Sequence, residues 1–504
     1  MARRARLTRT RLASGLAVMA AGGALLAMTL LWRGQRNPIL GQIPTGSVMG
    51  AVFSGTPPRV AGRAFIVDDG AIDRVVTMQG NGYTWGGPSN NPVLRQIDTT
   101  TGRLLGSVTL NANAGGEYVP DPATQRVFAI DPNGQQITVL DARQGAVLAT
   151  PAWPTDRTGA PVSMTNVNAS VIDPRSGHIF LFMALGSSVA AGQPPPQVVM
   201  MLDGRSGRPL RVLSFPPGPA LSLPGSNGTT SPNYSSTLSL ALDARPGRLD
   251  IFDARGRITV VDTASGRVVR SRRLRTAIAG AIMDGRTGRI FGLDASKDPW
   301  VVGGRLTRYG YRVASSVVMI DAVTGTVLRR LPGRVGLGLG WGGAWGAALD
   351  ERTGRLFVAN RAGNSVGVVD AASGRVLRAV ALGATPVQVA SDPARRRVLV
   401  ITSPGGGNFF RAPDTALVVL DARDGAVLRT IPLGQSAYLL AVDSVTGHLV
   451  MSASSIQPAP TDSWSWLPSA VRSRIPAIPP PPPTLGPSQQ VLHSTVLIVD
   501  PSGS

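Results

Sequence analysis

The sequence predicts an all-β fold, a β-propeller of about eight four-stranded blades preceded by one transmembrane helix. Two turn patterns that alternate along the chain predict the blades, and an uncharged stretch at residues 13–32 predicts the helix. With 60 glycines and 41 prolines among 504 residues, the composition also fits a β-rich chain with many tight turns.

Residues 1–12 form a basic tail with Arg3, Arg4, Arg6, Arg9 and Arg11, which the positive-inside rule places in the cytoplasm. Residues 13–32, as a helix rising ~1.5 Å per residue, would span ~30 Å, the thickness of a bilayer core. The stretch ends in Leu30-Leu31-Trp32 rather than a small-x-small site, which favours an uncleaved signal-anchor over a signal peptide. The expected product is a single-pass protein of the cell membrane with its C-terminal domain outside. The alternative is a protein secreted after cleavage. A linker over 33–46 then leads to a propeller over 47–504, which carries a Pro-rich loop insertion at 454–493.

The blades rest on the pattern Asp-x-x-x-Gly. In one context it follows a β-branched run and precedes another strand, as in VVDTASGRVVR (260–270), VMIDAVTGTVLR (318–329), VVDAASGRVLR (368–378) and VVLDARDGAVLR (418–429). Asp98, Asp141, Asp203 and Asp500 open weaker copies. In the other context it leads into a strand that begins with Arg or His: RIFGLD (289–294) after Asp284, RLFVAN (355–360) after Asp350 and HLVMSA (448–453) after Asp443. Asp121, Asp173, Asp243 and Asp392 open further copies, and Asp69 or Asp73 a degenerate one. The aspartate accepts hydrogen bonds from backbone N–H groups two and three residues on, and the glycine supplies a positive φ. Both are therefore hairpins between short β-branched strands.

Alternation of the two hairpins gives antiparallel units A-B-C-D, with the Arg/His hairpin joining A to B and the other joining C to D. Repeated radially, such units solve the sheet-edge problem as a propeller does. Eight units can be laid out, or seven if the degenerate first one is not a blade. The last unit lacks its outer strand, and the segment Ser47–Phe53 is expected to supply it and close the ring. The unit at 345–390 resembles the YVTN-repeat propellers: LFVAN (356–360), VGVVD (366–370) and GATP (383–386) stand where that family has its YVTN strand, its V-x-V-I-D strand and its G-x-x-P return. The resemblance covers one blade well and the rest with decreasing fidelity. It implies a bacterial or archaeal extracytoplasmic propeller with a binding or scaffold role.

Both hairpin kinds fall on one face of the predicted disc, so the long B–C connections fall on the other. Those loops, with one D–A connection, hold Tyr83, Trp85, Trp300, Arg308, Tyr311, Trp341, Trp345 and Phe410. An aromatic and arginine-rich rim suits a polysaccharide, a peptide or a protein. Five residues after each strand-opening basic residue stand Gln79, Asp131, Asp253, Asp294, Asn360 and Thr402. They either form a polar ring around the channel or cap their own B–C turns.

Other chemistries are weighed against by residue type. The absence of cysteine excludes disulfides and thiolate metal sites. Of 29 acidic residues fifteen open the repeated turns, and His178, His448 and His493 have no ligand-spaced partner. The turns are also similar to quinoprotein repeats, but Arg270, Arg329, Arg378 and Arg429 stand where the docking tryptophan belongs. No cofactor and no metal are therefore expected. The formal charge of +21 is spread arginine, with Lys297 the one lysine, and reads as a solvated basic surface rather than a nucleic-acid site. The expected function is a membrane-anchored, non-catalytic binding or scaffold protein. The alternative is a lactonase-type hydrolase with a cation held by Asp131, Asp253 or Asp294.

Overall fold

A computed structural model describes residues 38–502 with gaps, the longest at 50–58, 87–91, 110–116, 186–196, 216–238, 295–316, 332–345, 405–414 and 459–488. The basic tail and the stretch 13–32 lie outside the described residues, among which no helix is long and apolar enough to cross a membrane. The described strands form eight sheets, seven of them four-stranded and antiparallel.

Blade six shows why the repeat folds as it does. Its strands are Ala347–Asp350, Arg355–Asn360, Ser365–Asp370 and Val376–Ala381, paired in that order. Strands B and C are apolar at consecutive positions rather than alternating ones, because a blade is covered on both faces by its neighbours. Phe357, Val368 and Val380 accordingly pack with Val389, Val398, Val418 and Leu420 of blade seven. The first strands of adjacent blades lie against each other, which makes strand A the innermost, and strand D forms the exposed rim.

The turns behave as their chemistry dictates. Asp370 Oδ1 accepts from the Ser373 N–H at 2.9 Å and from the Ser373 hydroxyl at 2.7 Å, while the Gly374 N–H donates to the Asp370 carbonyl. The C–D turn glycines also touch the preceding blade. A Cβ on Gly425 (φ +76°) would stand 2.7 Å from Val368 Cγ2 and 3.0 Å from Val380 Cγ2, so both backbone and space demand glycine there.

Two expectations are corrected. The closing strand is not Ser47–Phe53. Ile39–Thr45, inside the expected linker, pairs antiparallel with Gln489–Val499 as the outer strand of blade eight, and the Asp500 N–H donates to the Pro38 carbonyl. Ile43 is buried and Ile39 packs on the core of blades seven and eight, so the apolar spacing of ILGQI decides the choice. Pro44, which has no N–H to give, is accommodated on an edge strand. Val48–Met49 instead pairs with Arg63–Asp68 as strand A of blade one. The second correction concerns strand B of that blade, which is Arg63–Asp68 rather than 74–79. Arg74–Gln79 and Gly82–Gly86 form an inserted hairpin that adds to the outer end of Gln489–Val499. The sequence RAFIVD (63–68) has the same form as RIFGLD (289–294) but lacks the preceding Asp-x-x-x-Gly turn, so its signal is muted. The first unit is a true blade, and the count is eight. The Pro-rich insertion narrows to 459–488, because Leu449–Pro458 and Gln489–Val499 pair along their lengths.

Candidate functional site

Antiparallel order places every A–B and C–D hairpin at one end of the blades and every B–C connection at the other. On the hairpin face the turns are short and alike except in blade one, where a longer connection joins Met49 to Arg63 and its Arg59–Val60 pairs with blade eight. The opposite face carries the hairpin 74–86 and the overlength strands 449–458 and 489–499. Gly82–Gly86, bearing Tyr83 and Trp85, is the terminal strand of that extended sheet. Trp300, Arg308, Tyr311, Trp341, Trp345 and Phe410 lie outside the described residues.

The polar positions at the top of strand B are one strand out from the axis, and most are engaged in their own turns. Asp131 Oδ1 accepts from the Gly134 N–H at 2.9 Å, Asn360 Oδ1 from the Gly363 N–H at 3.1 Å and Asp253 Oδ1 from the Arg257 N–H at 2.7 Å. Thr402 donates its hydroxyl to the Ala416 carbonyl at 3.3 Å. Asp294 ends strand B of blade five as expected. Gln79 is not equivalent to these, since it sits in the inserted hairpin. The equivalent of blade one is Asp68, fully buried and ion-paired to Arg95. Among the described residues no three His, Asp or Glu side chains gather as a metal site.

Two further arrangements stand outside the sequence expectations. Two of the arginines at the quinoprotein tryptophan position bind backbone of the next blade. Arg270 donates to the Ala322 and Val323 carbonyls of blade five, and Arg329 donates to the Ser373 carbonyl of blade six at 2.9 Å. At two blade junctions a His-Asp-Thr clasp does similar work. His448 Nδ1 lies 2.7 Å from the Thr99 carbonyl, and the Thr99 hydroxyl donates to Asp443. His178 Nδ1 lies 2.8 Å from the Thr263 carbonyl, and the Thr263 hydroxyl bonds Asp173. Burial pushes both carboxyls up, but these hydroxyls and the turn N–H groups outweigh it and hold them below the usual carboxylate value.

Blade four carries an anomaly. Two residues into strand B the other blades place Phe65, Phe128, Phe180, Phe291, Phe357, Leu399 and Val450, whereas blade four places Asp250. This carboxyl is 2% exposed, its Oδ1 has no hydrogen-bond partner, and burial pushes its pKa up to about 7 against the pull of Arg270. Tyr118 is also fully buried; its phenol is pushed up to about 12 by that burial and by the Asp131 charge.

Fold and topology define the chain as an eight-bladed β-propeller with a plain hairpin face and an elaborated loop face. No family model and no curated protein matches it. Among solved structures it is similar to a computationally designed protein, Ika8, at 14% identity and a TM-score of 0.44, over 82% of this chain and 96% of that one. It is also similar to BamB from Moraxella catarrhalis at 15% identity and a TM-score of 0.39, over 75% of this chain and 90% of that one.

Proposed function

We propose that the chain is a membrane-anchored extracytoplasmic propeller that acts as a non-catalytic binding or scaffold protein. Its ligand is a cell-envelope polysaccharide, peptide or protein taken on the B–C loop face. The observation that carries this reading is the asymmetry between the faces. Short turns locked by aspartate dominate one side, with the A–B connection of blade one the longer exception, while the other carries the inserted hairpin with Tyr83 and Trp85 and, by its place in the sequence, the long connection that holds Trp300. The resemblance of residues 345–390 to YVTN-repeat propellers and the arginine-flanked apolar stretch 13–32 support the extracytoplasmic placement.

Capture from cell-envelope fractions by the full chain tests the reading. Trp85→Ala or Trp300→Ala is expected to reduce captured material tenfold or more, in line with the ~2 kcal/mol or more of an aromatic anchor. Undiminished capture by both variants would move the site off this face.

A further inference from the structure

We infer that the hairpin face of the propeller rests on an anionic bilayer surface, held there by a ring of apolar side chains and arginines, so that the loop face points away from the membrane. The inference rests on the anchored reading above and adds an orientation to it.

The first observation is where the exposed apolar residues lie. Every large hydrophobic side chain that is exposed among the described residues belongs to the first three positions of an outer strand or to a hairpin turn on this face. The doublets Leu104-Leu105, Val147-Leu148, Val268-Val269, Val376-Leu377 and Val427-Leu428 are all more than a third exposed. Leu40, Leu210 and Leu328 hold the same place in the remaining blades, which completes the circle. Outer-strand chemistry alone does not require this, because the later positions of the same strands include Arg, Ser and Thr.

The second observation is charge. Exposed arginines occupy the turns beside the doublets, among them Arg143, Arg205, Arg286, Arg352, Arg396 and Arg423. Most carboxylates that alternate with them are only partly exposed and are engaged by the turns themselves, Asp424 being the exposed exception. Asp141, Asp203 and Asp421 accept N–H groups of their own turns, and Glu351 accepts the Gly285 N–H. A face with apolar edges and outward cations complements anionic headgroups above a hydrocarbon boundary, where each basic side chain contributes about 1 kcal/mol.

The third observation is the tether. The closing strand runs from Ile39 at the hairpin face toward the loop face, and its start is pinned by the Asp500–Pro38 hydrogen bond. Only six residue steps separate Trp32 from Pro38. At ~3.3–3.6 Å per residue they reach at most about 22 Å. A helix ending at Trp32 therefore keeps the hairpin end of blade eight within about 22 Å of the bilayer, roughly the length of a six-residue strand.

The natural absence of cysteine makes the test direct. The full chain is reconstituted into phosphatidylcholine vesicles with or without phosphatidylglycerol, carrying a single fluorophore at Leu105→Cys, Leu377→Cys or Gln136→Cys. Gln136 opens strand C of blade two on the loop side. With brominated lipids, the labels at 105 and 377 are expected to be quenched at least threefold more than the label at 136, and more strongly when phosphatidylglycerol is present. Greater quenching at 136, or none at 105 and 377 in a chain that floats with vesicles, overturns the orientation and leaves the anchor standing. Equal quenching with both lipids overturns the anionic part, and binding of 105- and 377-labelled faces to an acidic wall polymer in place of lipid does the same. A chain that does not float with vesicles overturns the anchored reading itself.

Discussion

Asp250→Asn is expected to make the propeller more stable at pH 8 than the natural chain by about 4 kcal/mol, and by much less at pH 4. The magnitude follows from a carboxyl whose value rises from 3.8 to about 7 on folding, at ~1.4 kcal/mol per unit. Because the folded value is the higher one, the unfolded chain releases the proton first. Stability is then lost as pH rises from about 4 to about 7 and is flat above that. The cause is local: Asp250 lies between Ala241 and Val260 in register and faces blade five, with Arg270, Asp243 and Arg248 as the charged groups around it. Asp250→Leu, which restores the residue class of the other blades, is expected to gain at least as much at pH 8. The check is the difference in unfolding free energy between variant and natural chain across pH 4–8. A gain independent of pH, or a loss at pH 8, would show that the carboxyl is not held in a desolvated site.

Asp443→Ala is the largest expected loss, about 3–5 kcal/mol, since it removes a fully buried carboxylate that satisfies four donors at once. Its carboxylate accepts from the Val445 N–H at 2.7 Å, the Thr446 N–H at 3.3 Å, the Gly62 N–H at 3.2 Å and the Thr99 hydroxyl. The last two belong to blade one, so the variant loosens the junction where the two ends of the chain meet. The pH dependence is opposite in sign to that of Asp250. Asp443 is held below 3.8, so its contribution is complete above about pH 4 and disappears as pH falls through the depressed value. Asp203, Asp262, Asp321 and Asp370 behave alike, lowered first of all by hydrogen bonds from Ser206, Ser265, Thr324 and Ser373. Denaturant titrations at pH 7 and pH 3 check this: the loss on Asp443→Ala should be large at pH 7 and smaller at pH 3. A loss that stays below 1 kcal/mol at pH 7 would contradict the role given to the clasp.

The blades were legible because their turns are local chemistry. An aspartate, three residues and a glycine make a hairpin whatever the surroundings, so twelve such turns, with three variants opened by Asp121, Asp392 and Asp500, name the strands beside them. Ring closure was not legible, because Ile39–Thr45 finds its partner more than 440 residues away and carries no turn signal. RAFIVD was missed for a related reason: the chain before it replaces the A–B turn with a longer excursion, whose Arg59–Val60 pairs with blade eight instead. At the candidate site, the alternation of turns assigned the B–C connections to one face, and of the aromatics expected there Tyr83 and Trp85 fall within the described residues. It did not separate ring-forming from turn-capping polar residues, since both place a short polar side chain at the end of strand B. Asp250 could have been found by aligning the blades with one another, where a carboxylate replaces an aromatic ring.

The orientation at the membrane depends on which segment closes the ring, and cross-linking in the cysteine-free chain tests that directly. Thr45 and Ser494 are partners across the closing strands, so Thr45→Cys with Ser494→Cys should form an intramolecular disulfide on mild oxidation, as strand partners can. Met49→Cys with Ser494→Cys should remain reduced, because Met49 pairs with Val67 in blade one. A disulfide in the second variant and none in the first would place the closing strand at 47–53 and detach the hairpin face from its tether.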